Sequence, residues 1–443
     1  MLSKADNEAL TQVGPGTVMG DFIRQYWIPF LPSRDLPEAD YRPIKVRLLG
    51  EDLIAFRDSN GKVGLLEENC PHRGANLFWA RNEECGLRCV YHGWKFDVNG
   101  TCVDMPNEPE DSDFKYKVKA VAYPVTEVNG ALWTYMGPDQ VPPPFPLFEV
   151  TTMPEARVSP PHVMLEECNW VQGLEGDIDS SHIDWVHARL NEDRGDAPID
   201  HTRRGTFNRD KRPRLEVLAT DYGGCYSGSR KIDDDGTRWH RITQFMMPFH
   251  TMIAASDPTT VHLRSWVPLD DEHHMLFSQT ARLDRDWTKE ERKSFDEPFT
   301  VIGGYVPNDP AKPLTRYLTH ARLDNSYNID LDLQKKELMF GVPFVGNIQD
   351  RAMTEAMGPI YRRWKEHLGS TDAMVIFVRR RLLDAAVALR EKGVAPPNAV
   401  DPTLNRVRSA SILLPEGESW AAATEKARYS DSAQPVAWAP FPT

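Results

Sequence analysis

The chain has 443 residues and a formal net charge of −13 at pH 7. That length predicts two or three domains, and an acidic balance without any basic run excludes an electrostatic nucleic-acid surface. The expected partners are therefore small molecules or proteins. The start of the chain lacks the basic and apolar regions of a signal peptide, and no long apolar stretch follows. We therefore expect a soluble, cytoplasmic protein.

The first third of the chain predicts a small antiparallel β-domain. Short apolar runs alternate with turn dipeptides such as Asn60-Gly61 and Asn99-Gly100. The predicted strands cover residues 44–48, 53–57, 63–66, 94–98 and 131–135. The proline-rich stretch 138–146 can continue neither strand nor helix. We therefore divide the chain near residue 150, into domains 1–150 and 151–443.

Two Cys-His pairs lie in this first domain. Cys70 and His72 form C-x-H, and Cys89 and His92 form C-x-x-H after 16 intervening residues. Two thiolates for one iron and two imidazoles for the other are the ligand set of a Rieske [2Fe–2S] centre, a one-electron carrier. A structural zinc site is the alternative, although zinc fingers usually open with two cysteines and close with two histidines. The remaining cysteines fit no motif and are expected to be reduced thiols: Cys85, Cys102, Cys168 and Cys225.

Beyond the boundary, a strand at 158–166 is predicted to lead into a helix at 170–189 that carries His182 and His187. Two imidazoles and a carboxylate form the facial triad of a mononuclear Fe(II) site. Asp179 shares a helical face with His182, which suggests it as the third ligand. The two histidines are about 140° apart on a regular helix, so we expect a distortion, for example a π-type bulge. A helix that carries two ordinary histidines is the alternative.

The rest of the chain predicts a multi-stranded antiparallel sheet followed by helices, which gives the α+β class. Residues 191–214 are polar and predict a long surface loop. The predicted strands cover 215–219, 225–230, 237–247, 251–255, 261–268 and 274–281, and the predicted helices cover 287–297, 349–367 and 372–391.

The two motifs together resemble the α subunit of the Rieske non-haem iron aromatic-ring oxygenases. Further sequence motifs are similar to those of the phthalate dioxygenase branch, and the resemblance covers nearly the whole chain. These motifs are Asn169-Trp170, Leu174-Glu175-Gly176, Ile178-Asp179-Ser180-Ser181-His182, Gln349-Asp350 and Met357-Gly358-Pro359-Ile360. The resemblance implies a Rieske domain followed by a helix-grip-like catalytic domain, in which helices cover an antiparallel sheet.

The resemblance also implies a role for each metal ligand. Cys70 and Cys89 would bind one iron of the cluster, and His72 and His92 the other. His182 and His187 would bind the mononuclear iron.

The third ligand of that iron would be Asp350, which follows Gln349, with Glu355 as the fallback. Asp179 would then be a bridge that hydrogen-bonds His182 of its own chain and His92 of a neighbouring chain. Such a carboxylate orients the imidazole and offers a short electron path. A homotrimer, or two stacked trimers, would follow from this bridge.

The implied reaction uses O₂ and supplied electrons to hydroxylate an aromatic carboxylic acid of the phthalate or benzoate type. Both cis-dihydroxylation and monohydroxylation fit, and O-demethylation of a methoxylated aromatic acid is the alternative. No G-x-G-x-x-G fingerprint follows a strand. Electrons from NAD(P)H should therefore arrive through a separate reductase with flavin and a [2Fe–2S] centre.

An acidic protein needs a local cation to bind a carboxylate, and arginine gives a bidentate match. Arg241, in a predicted strand, is the leading candidate, with Arg209 and Arg204 in the polar loop behind it. A solvated arginine is the alternative for each. Some aromatic side chains on the predicted strands should line an apolar pocket, although core packing is the usual role: Phe245, Phe249, Trp266 and Phe277.

Two other functional classes fit parts of this pattern. A Rieske electron carrier would not need the long region after the boundary or the second histidine motif. A zinc-dependent hydrolase could use His182, His187 and a carboxylate, with the first domain serving a structural role.

Overall fold

The computed structural model describes residues 2–139, 141–190, 210–232, 236–254, 259–296, 304–342 and 347–430. It confirms the α+β class, with antiparallel strands in the first part of the chain and a large antiparallel sheet with helices in the second. The helices are α1 (Lys4–Thr11), α2 (Val18–Ile23), α3 (Glu149–Thr152), α4 (Trp170–Ile178), α5 (Ile183–Val186), α6 (Lys289–Asp296), α7 (Leu331–Lys336), α8 (Ile348–Ala356), α9 (Ala373–Lys392), α10 (Pro397–Val400) and α11 (Trp420–Ala423).

Eleven strands precede the proline-rich stretch in the described residues. They are β1 (Trp27–Pro32), β2 (Ile44–Leu48), β3 (Glu51–Arg57), β4 (Val63–Glu67), β5 (Arg81–Glu83), β6 (Gly86–Arg88), β7 (Lys95–Phe96), β8 (Cys102–Asp104), β9 (Ala122–Tyr123), β10 (Val125–Val128) and β11 (Ala131–Tyr135). They form one sheet in the order β2-β3-β4-β9, a second in the order β5-β6-β7-β8, and a three-stranded sheet β1-β11-β10. The predictions for 44–48 and 131–135 are confirmed residue for residue by β2 and β11.

The two four-stranded sheets enclose a small core of their own. Ile54, Phe56, Leu66, Leu87 and Phe96 are fully buried there, and Cys70 and Cys89 belong to the same cluster. The loops that carry both Cys-His pairs therefore stand directly on a rigid apolar base.

The three-stranded sheet packs on the second part of the chain rather than on this small core. Trp27 and Trp133 share a cluster with Met246, Met252 and Leu263. The N-terminal helices α1 and α2 lie against α9. The division into 1–150 and 151–443 stays a prediction.

The second part is built around an eight-stranded sheet. Its strands are β12 (His162–Glu166), β13 (Arg214–Thr220), β14 (Gly223–Lys231), β15 (Thr237–Met246), β16 (His250–Met252), β17 (Thr260–Pro268), β18 (His274–Arg282) and β19 (Ala410–Pro415). The order is β12-β18-β17-β16-β15-β14-β13, with β19 also paired to β15, and the pairings are antiparallel. Helix α4 contacts β16 and β17, and α9 contacts β13 and β14.

The prediction of a single helix at 170–189 is wrong. Helix α4 ends at Ile178, and Asp179 takes an extended conformation with φ −82° and ψ 127°. Helix α5 then begins at Ile183. This break precedes both histidines. The residues between them form α5, without the expected π-type bulge, and the chain leaves helical geometry only at His187, with φ −99° and ψ 4°.

The helix predicted at 349–367 is also too long. Helix α8 ends at Ala356, because Gly358 has a φ of +90° and Pro359 follows. The strand predicted from 158 begins only at His162, after Pro160 and Pro161. Most of the loop predicted at 191–214 lies outside the described residues. Within the described ranges, none of the helices combines the length and apolar character that crossing a bilayer requires.

A buried ion pair fixes the segment after the break to the sheet. Arg230 of β14 donates to the Asp184 carboxylate at 2.8 Å and to the Ser180 carbonyl at 2.6 Å. Both charged side chains are fully buried. The pair therefore holds α5 and the turn before it against the strand.

We predict that Arg230→Met lowers the free energy of unfolding by about 3–5 kcal/mol, because it leaves the Asp184 charge buried and unpaired. Arg390→Met, which breaks an exposed pair with Asp21, should cost less than about 1 kcal/mol. The double variant Arg230→Met/Asp184→Leu should recover most of the loss. Urea unfolding of the three variants provides the measurement, and equal stability of Arg230→Met and Arg390→Met would contradict the prediction.

Candidate metal centres and their surroundings

The two Cys-His loops have the same backbone hydrogen bonds. In the first loop, the Cys70 amide donates to the Ala75 carbonyl and the Gly74 amide donates to the Cys70 carbonyl. In the second, Cys89 and Gly93 make the equivalent bonds, with the Cys89 amide donating to Trp94. Gly74 and Gly93 have φ of +74° and +80°, a conformation that glycine adopts without strain. The two tight turns therefore present their side chains in matching geometry.

The loops place the thiols inside the protein and the imidazoles towards its surface. Cys70 and Cys89 are 2% and 3% exposed, whereas His72 and His92 are half-buried. The two imidazole rings are 4.5 Å apart between centroids. Trp94 stacks on the His72 ring at 4.2 Å. Electrons can therefore reach this centre through the histidine side.

The spacing of the four side chains distinguishes a two-iron cluster from a zinc ion. A tetrahedral zinc ion would keep its ligand atoms about 3.3–3.8 Å apart, given its bond lengths to sulfur and nitrogen. Among the described residues, no three of Cys70, His72, Cys89 and His92 bring their ligand atoms within 4.8 Å of one another. A thiolate pair separated from an imidazole pair fits a [2Fe–2S] cluster. Burial, with Cys89 nearby, raises the pKa of the Cys70 thiol to about 11, so a bound cation is needed to favour its thiolate.

The second centre begins with the capped start of α4. The Asn169 side chain accepts from the Val171 amide and donates to the carbonyls of Thr11 and Asp271. Asn169 is fully buried, so these bonds anchor the helix. At the other end of the helix, Asp179 accepts from the Ser181 amide at 2.7 Å. This side chain stabilises the turn between α4 and α5.

The turn brings His182 and His187 to opposite ends of α5, facing the first turn of α8. The Nε2 atoms of His182 and His187 lie 3.3 and 2.9 Å from the Asp350 Oδ1 atom. The imidazole rings are 5.3 Å apart between centroids. One ligand atom from each of the three residues lies within 4.8 Å of the other two.

A bound metal ion explains the arrangement of these three side chains better than hydrogen bonds among them do. The Asp350 Oδ1 atom is buried and makes no contact with hydrogen-bond geometry, despite its short distances to both rings. The Nδ1 atom of His187 lies 2.7 Å from the Gln349 Oε1 atom. Since an amide oxygen only accepts, Nδ1 carries the proton, and in the neutral ring the lone pair lies on Nε2. Two lone pairs and a carboxylate oxygen thus meet at one point.

The charges around His182 also favour a cation. Burial alone would lower the pKa of His182, but the nearby carboxylates of Asp179 and Asp350 outweigh it and raise the pKa to about 10. Burial would raise the pKa of Asp350, but His182 and His187 hold it well below its usual range. The two carboxylates therefore favour a positive charge at this position, and a bound divalent ion would supply it in place of the proton on His182.

Asp179 lies on the far side of His182 from this meeting point. Its Oδ2 atom is 3.4 Å from the His182 Nδ1 atom, whereas Asp350 faces Nε2. The geometry therefore favours Asp350 as the third ligand over the spacing argument for Asp179. The fallback residue, Glu355, is fully buried in an ion pair with Arg351 and accepts from Tyr327.

A second compact group of possible ligands lies in the described residues: Glu166, Cys168 and His274. All three are buried, and the His274 Nδ1 atom donates to the Cys168 carbonyl at 2.8 Å. A Cβ on Gly173 of α4 would lie 2.5 Å from the His274 Nε2 atom. The helix therefore fills the space beside that nitrogen, and we assign no metal there.

Arg241 is 6% exposed, and within the described residues no hydrogen bond or ion pair reaches its guanidinium. Burial lowers the pKa of Arg241, as expected for a cation without a partner. Arg204 and Arg209 lie outside the described residues. The aromatic residues considered for the pocket are at most 4% exposed and belong to the main core: Phe245, Phe249, Trp266 and Phe277.

An open cleft of about 220 Å³ reaches Asp179 and His182 from the surface. Its walls include Gln172, Glu175 and Met357, and Met357 is 48% exposed. Another macromolecule could therefore approach the carboxylate of Asp179 through this cleft.

Sequence reasoning missed two contacts of the ligand histidines. It gave Gln349 no role beyond marking Asp350, and it did not anticipate Trp94 stacking on His72. The adjacency of Gln349 to Asp350 was the only available signal for the first contact. The C-x-x-H-G-W wording could have drawn attention to the second.

Two protein families match this chain. Residues 26–124 match the family described as "Rieske [2Fe-2S] domain". Residues 134–437 match the family described as "LigXa C-terminal domain like".

Several curated relatives match over much of their length. The 3-chlorobenzoate-3,4-dioxygenase oxygenase subunit of Comamonas testosteroni is 38% identical, covering 95% of this chain and 97% of the relative. The phthalate 4,5-dioxygenase oxygenase subunit of Pseudomonas putida is 34% identical, covering 95% and 94%. The 5,5'-dehydrodivanillate O-demethylase oxygenase subunit of a Sphingobium species is 34% identical over 62% of each chain.

The fold also matches solved structures. The oxygenase in the reduced complex between oxygenase and ferredoxin of carbazole 1,9a-dioxygenase superposes with a TM-score of 0.56 at 19% identity, covering 90% of this chain and 97% of that chain. The second part of the chain thus has the antiparallel sheet and helices of such oxygenases. Given both family matches and the full-length relatives, the chain belongs to the Rieske non-haem iron oxygenases, the oxidoreductases whose oxygenase subunit carries a [2Fe–2S] cluster and a mononuclear iron.

Proposed function

We propose that this oxygenase subunit hydroxylates an aromatic carboxylic acid of the benzoate or phthalate type. The observation that carries the proposal is the buried guanidinium of Arg241, which no other described residue pairs. Leaving a charge buried without a partner is costly. A ligand carboxylate would supply the missing bidentate partner.

The orientation of Arg241 agrees with this role. Arg241 lies directly opposite Gly228 in the pairing of β15 with β14, so the two residues share one face of the sheet. A Cβ on Gly228 would lie 2.8 Å from the Ser180 Oγ atom. That face therefore looks towards the turn between Asp179 and His182, beside the mononuclear centre.

The relatives support an acidic aromatic substrate, since the names of two of them specify chlorobenzoate and phthalate. O-demethylation of a methoxylated aromatic acid is the second candidate, because a third relative is named as an O-demethylase subunit. Both reactions would use the same iron site and the same carboxylate contact. Arg209 and Arg204 stay predictions as further contacts.

The proposed ligands follow the geometry described above. Cys70 and Cys89 bind one cluster iron, and His72 and His92 bind the other. The mononuclear iron is held by three further residues: His182, His187 and Asp350. When bound, the cluster supplies one-electron transfer and the mononuclear iron supplies dioxygen activation.

Asp179 is proposed to join two chains. It accepts from the Nδ1 atom of its own His182 and, through the open cleft, from His92 of a second copy. Several features support this docking. His92 stands between exposed neighbours, with Tyr91 56% exposed, and Arg73 lies over the Tyr91 ring. The Asp179 side chain is 26% exposed where it lines the cleft. A homotrimer or a pair of stacked trimers would satisfy the contact.

The electrons are proposed to come from NAD(P)H through a separate reductase with flavin and a [2Fe–2S] centre. The ferredoxin bound to the oxygenase of carbazole 1,9a-dioxygenase supports a separate electron-transfer partner. A cytoplasmic location stays a prediction.

A screen of aromatic acids with a surrogate reductase tests the proposal. Benzoates and phthalates are compared with their methoxylated and uncharged analogues, and oxygen uptake, formaldehyde and hydroxylated products are measured together. We expect substrate-dependent oxygen uptake only with carboxylated rings. Formaldehyde with the methoxylated acids alone would favour O-demethylation, and turnover of uncharged rings alone would contradict the proposal.

We predict that Asp350→Ala removes the mononuclear iron and leaves the cluster intact, because Asp350 is the one carboxylate among the described residues that faces both Nε2 atoms. Iron analysis should fall from about three to about two atoms per chain, with the visible spectrum of the cluster unchanged. Asp332→Ala, an exposed aspartate in the first turn of α7, is the matched control. Full iron content and full activity in Asp350→Ala would refute the ligand assignment.

We predict that Asp179→Asn retains both metals but loses at least about tenfold in turnover, because an amide is a weaker acceptor for the His182 N–H. Stopped-flow oxidation of the reduced cluster in the presence of substrate measures the step. Asp372→Asn, in the same cleft, serves as the control. A normal rate of coupled electron transfer in Asp179→Asn would contradict the proposed role of Asp179 as a bridge between chains.

We predict that Arg241→Gln raises KM for an aromatic acid by about 10–100-fold, the worth of a charged hydrogen bond. Arg238→Gln is the matched control. Arg238 is equally buried on β15 but faces the other side, where it donates to Ser229. An unchanged KM in Arg241→Gln would exclude Arg241 from the substrate site.

A further inference from the structure

Gln349 makes two strong contacts from a fully buried position. It lies in the first turn of α8, next to Asp350, and is 1% exposed. Its Nε2 atom donates to the Val342 carbonyl at 2.7 Å. Its Oε1 atom lies 2.7 Å from the Nδ1 atom of His187.

The two contacts together select one neutral tautomer of His187. A backbone carbonyl can only accept, so the amide NH₂ of Gln349 must face Val342. Its Oε1 atom then faces His187 and can only accept, so the His187 Nδ1 atom must carry the proton. In the neutral ring, the lone pair of His187 therefore lies on Nε2, the atom that is 2.9 Å from Asp350.

We propose that Gln349 is a positioning residue that fixes His187 in its Nδ1-protonated form, with Nε2 directed at the metal. The inference rests on the proposed function in one respect, that His187 is an iron ligand. One turn of α8 thus provides both a ligand, Asp350, and the partner that orients another ligand. The Val342 carbonyl fixes the orientation of the Gln349 amide, and the amide in turn fixes the orientation of the His187 ring.

The neutral amide also contrasts with the partner of the other histidine. His182 faces the carboxylate of Asp179 at 3.4 Å, whereas His187 faces an uncharged oxygen at a shorter distance. With Asp179 and Asp350 already present, two negative charges match the charge of one divalent ion. A neutral Gln349 orients His187 without adding a third.

The test compares Gln349→Met, which fills the same volume without an acceptor, with Gln349→Glu, which keeps an acceptor for the His187 N–H. Gln279→Met is the matched control. Gln279 is also buried and donates to two carbonyls, those of Asn129 and Ser159, away from the histidines. Protein stripped of its mononuclear iron, with the cluster intact, is titrated with Fe(II), and with Co(II) for its visible ligand-field spectrum.

We expect Gln349→Met to lose about 10–100-fold in Fe(II) affinity, the usual effect of removing the partner of a ligand histidine, and to change the Co(II) spectrum. Gln349→Glu should restore affinity to within about threefold, and Gln279→Met should match the wild type. If Gln349→Met fails to fold, Gln349→Asn provides the same test, because its amide is too short to reach both partners.

Wild-type affinity and an unchanged Co(II) spectrum in a folded Gln349→Met protein would overturn the inference. Equal losses in the Met and Glu variants would also overturn it, since the link to Val342 would then matter rather than the acceptor. His187→Ala separates this failure from failure of the proposed function. If His187→Ala retains iron, the ligand assignment itself is wrong.

Discussion

The break in the helix at Asp179 is the constraint on which the mononuclear site depends. The break precedes both histidines and turns the chain after α4, so that α5 faces the first turn of α8, where Asp350 lies. Because the chain leaves the helix after Ile178, α5 becomes a separate turn with one histidine at each end. The Asp179 side chain both caps this turn and contacts His182. One residue thus shapes the backbone and orients a ligand.

Asp350 can meet the two histidines only if α4 and α8 keep a fixed position relative to each other. Gln172 of α4 provides this link, because its amide donates to the carbonyls of Thr354 and Gly358 and accepts from the Tyr361 amide. Buried ion pairs reinforce it, with Glu175 of α4 bound by Arg363 and Arg379. Buried pairs contribute little net stability after the cost of desolvation. Their position beside the ligand helices is consistent with a role in fixing geometry.

The sequence was sufficient to identify every group that the structure brings together at the mononuclear site, but by two different routes. Motif spacing alone found His182 and His187, and it would have chosen Asp179 as their carboxylate. Asp350 came from the family resemblance, since no local pattern connects residues so far apart in the chain. The convergence of Asp350 on both Nε2 atoms depends on tertiary packing, which spacing does not encode.

Secondary structure was predictable where local chemistry decided it. Strand β2 follows from alternating apolar residues and strand β11 from a nearly continuous apolar run, and their limits agree with the prediction. The helix predicted at 170–189 failed because Asp179 prefers to hydrogen-bond the following backbone over continuing the helix. The role of Gln349 could likewise not be predicted from the sequence, because its contacts with His187 and Val342 depend on the tertiary fold.

The most direct test of two separate iron centres is a combined iron, sulfide and EPR analysis of anaerobically purified protein. Two centres predict about three irons and two labile sulfides per chain, with a Rieske-type EPR signal after reduction. Zinc in place of iron, with no labile sulfide and no such signal, would contradict both metal assignments.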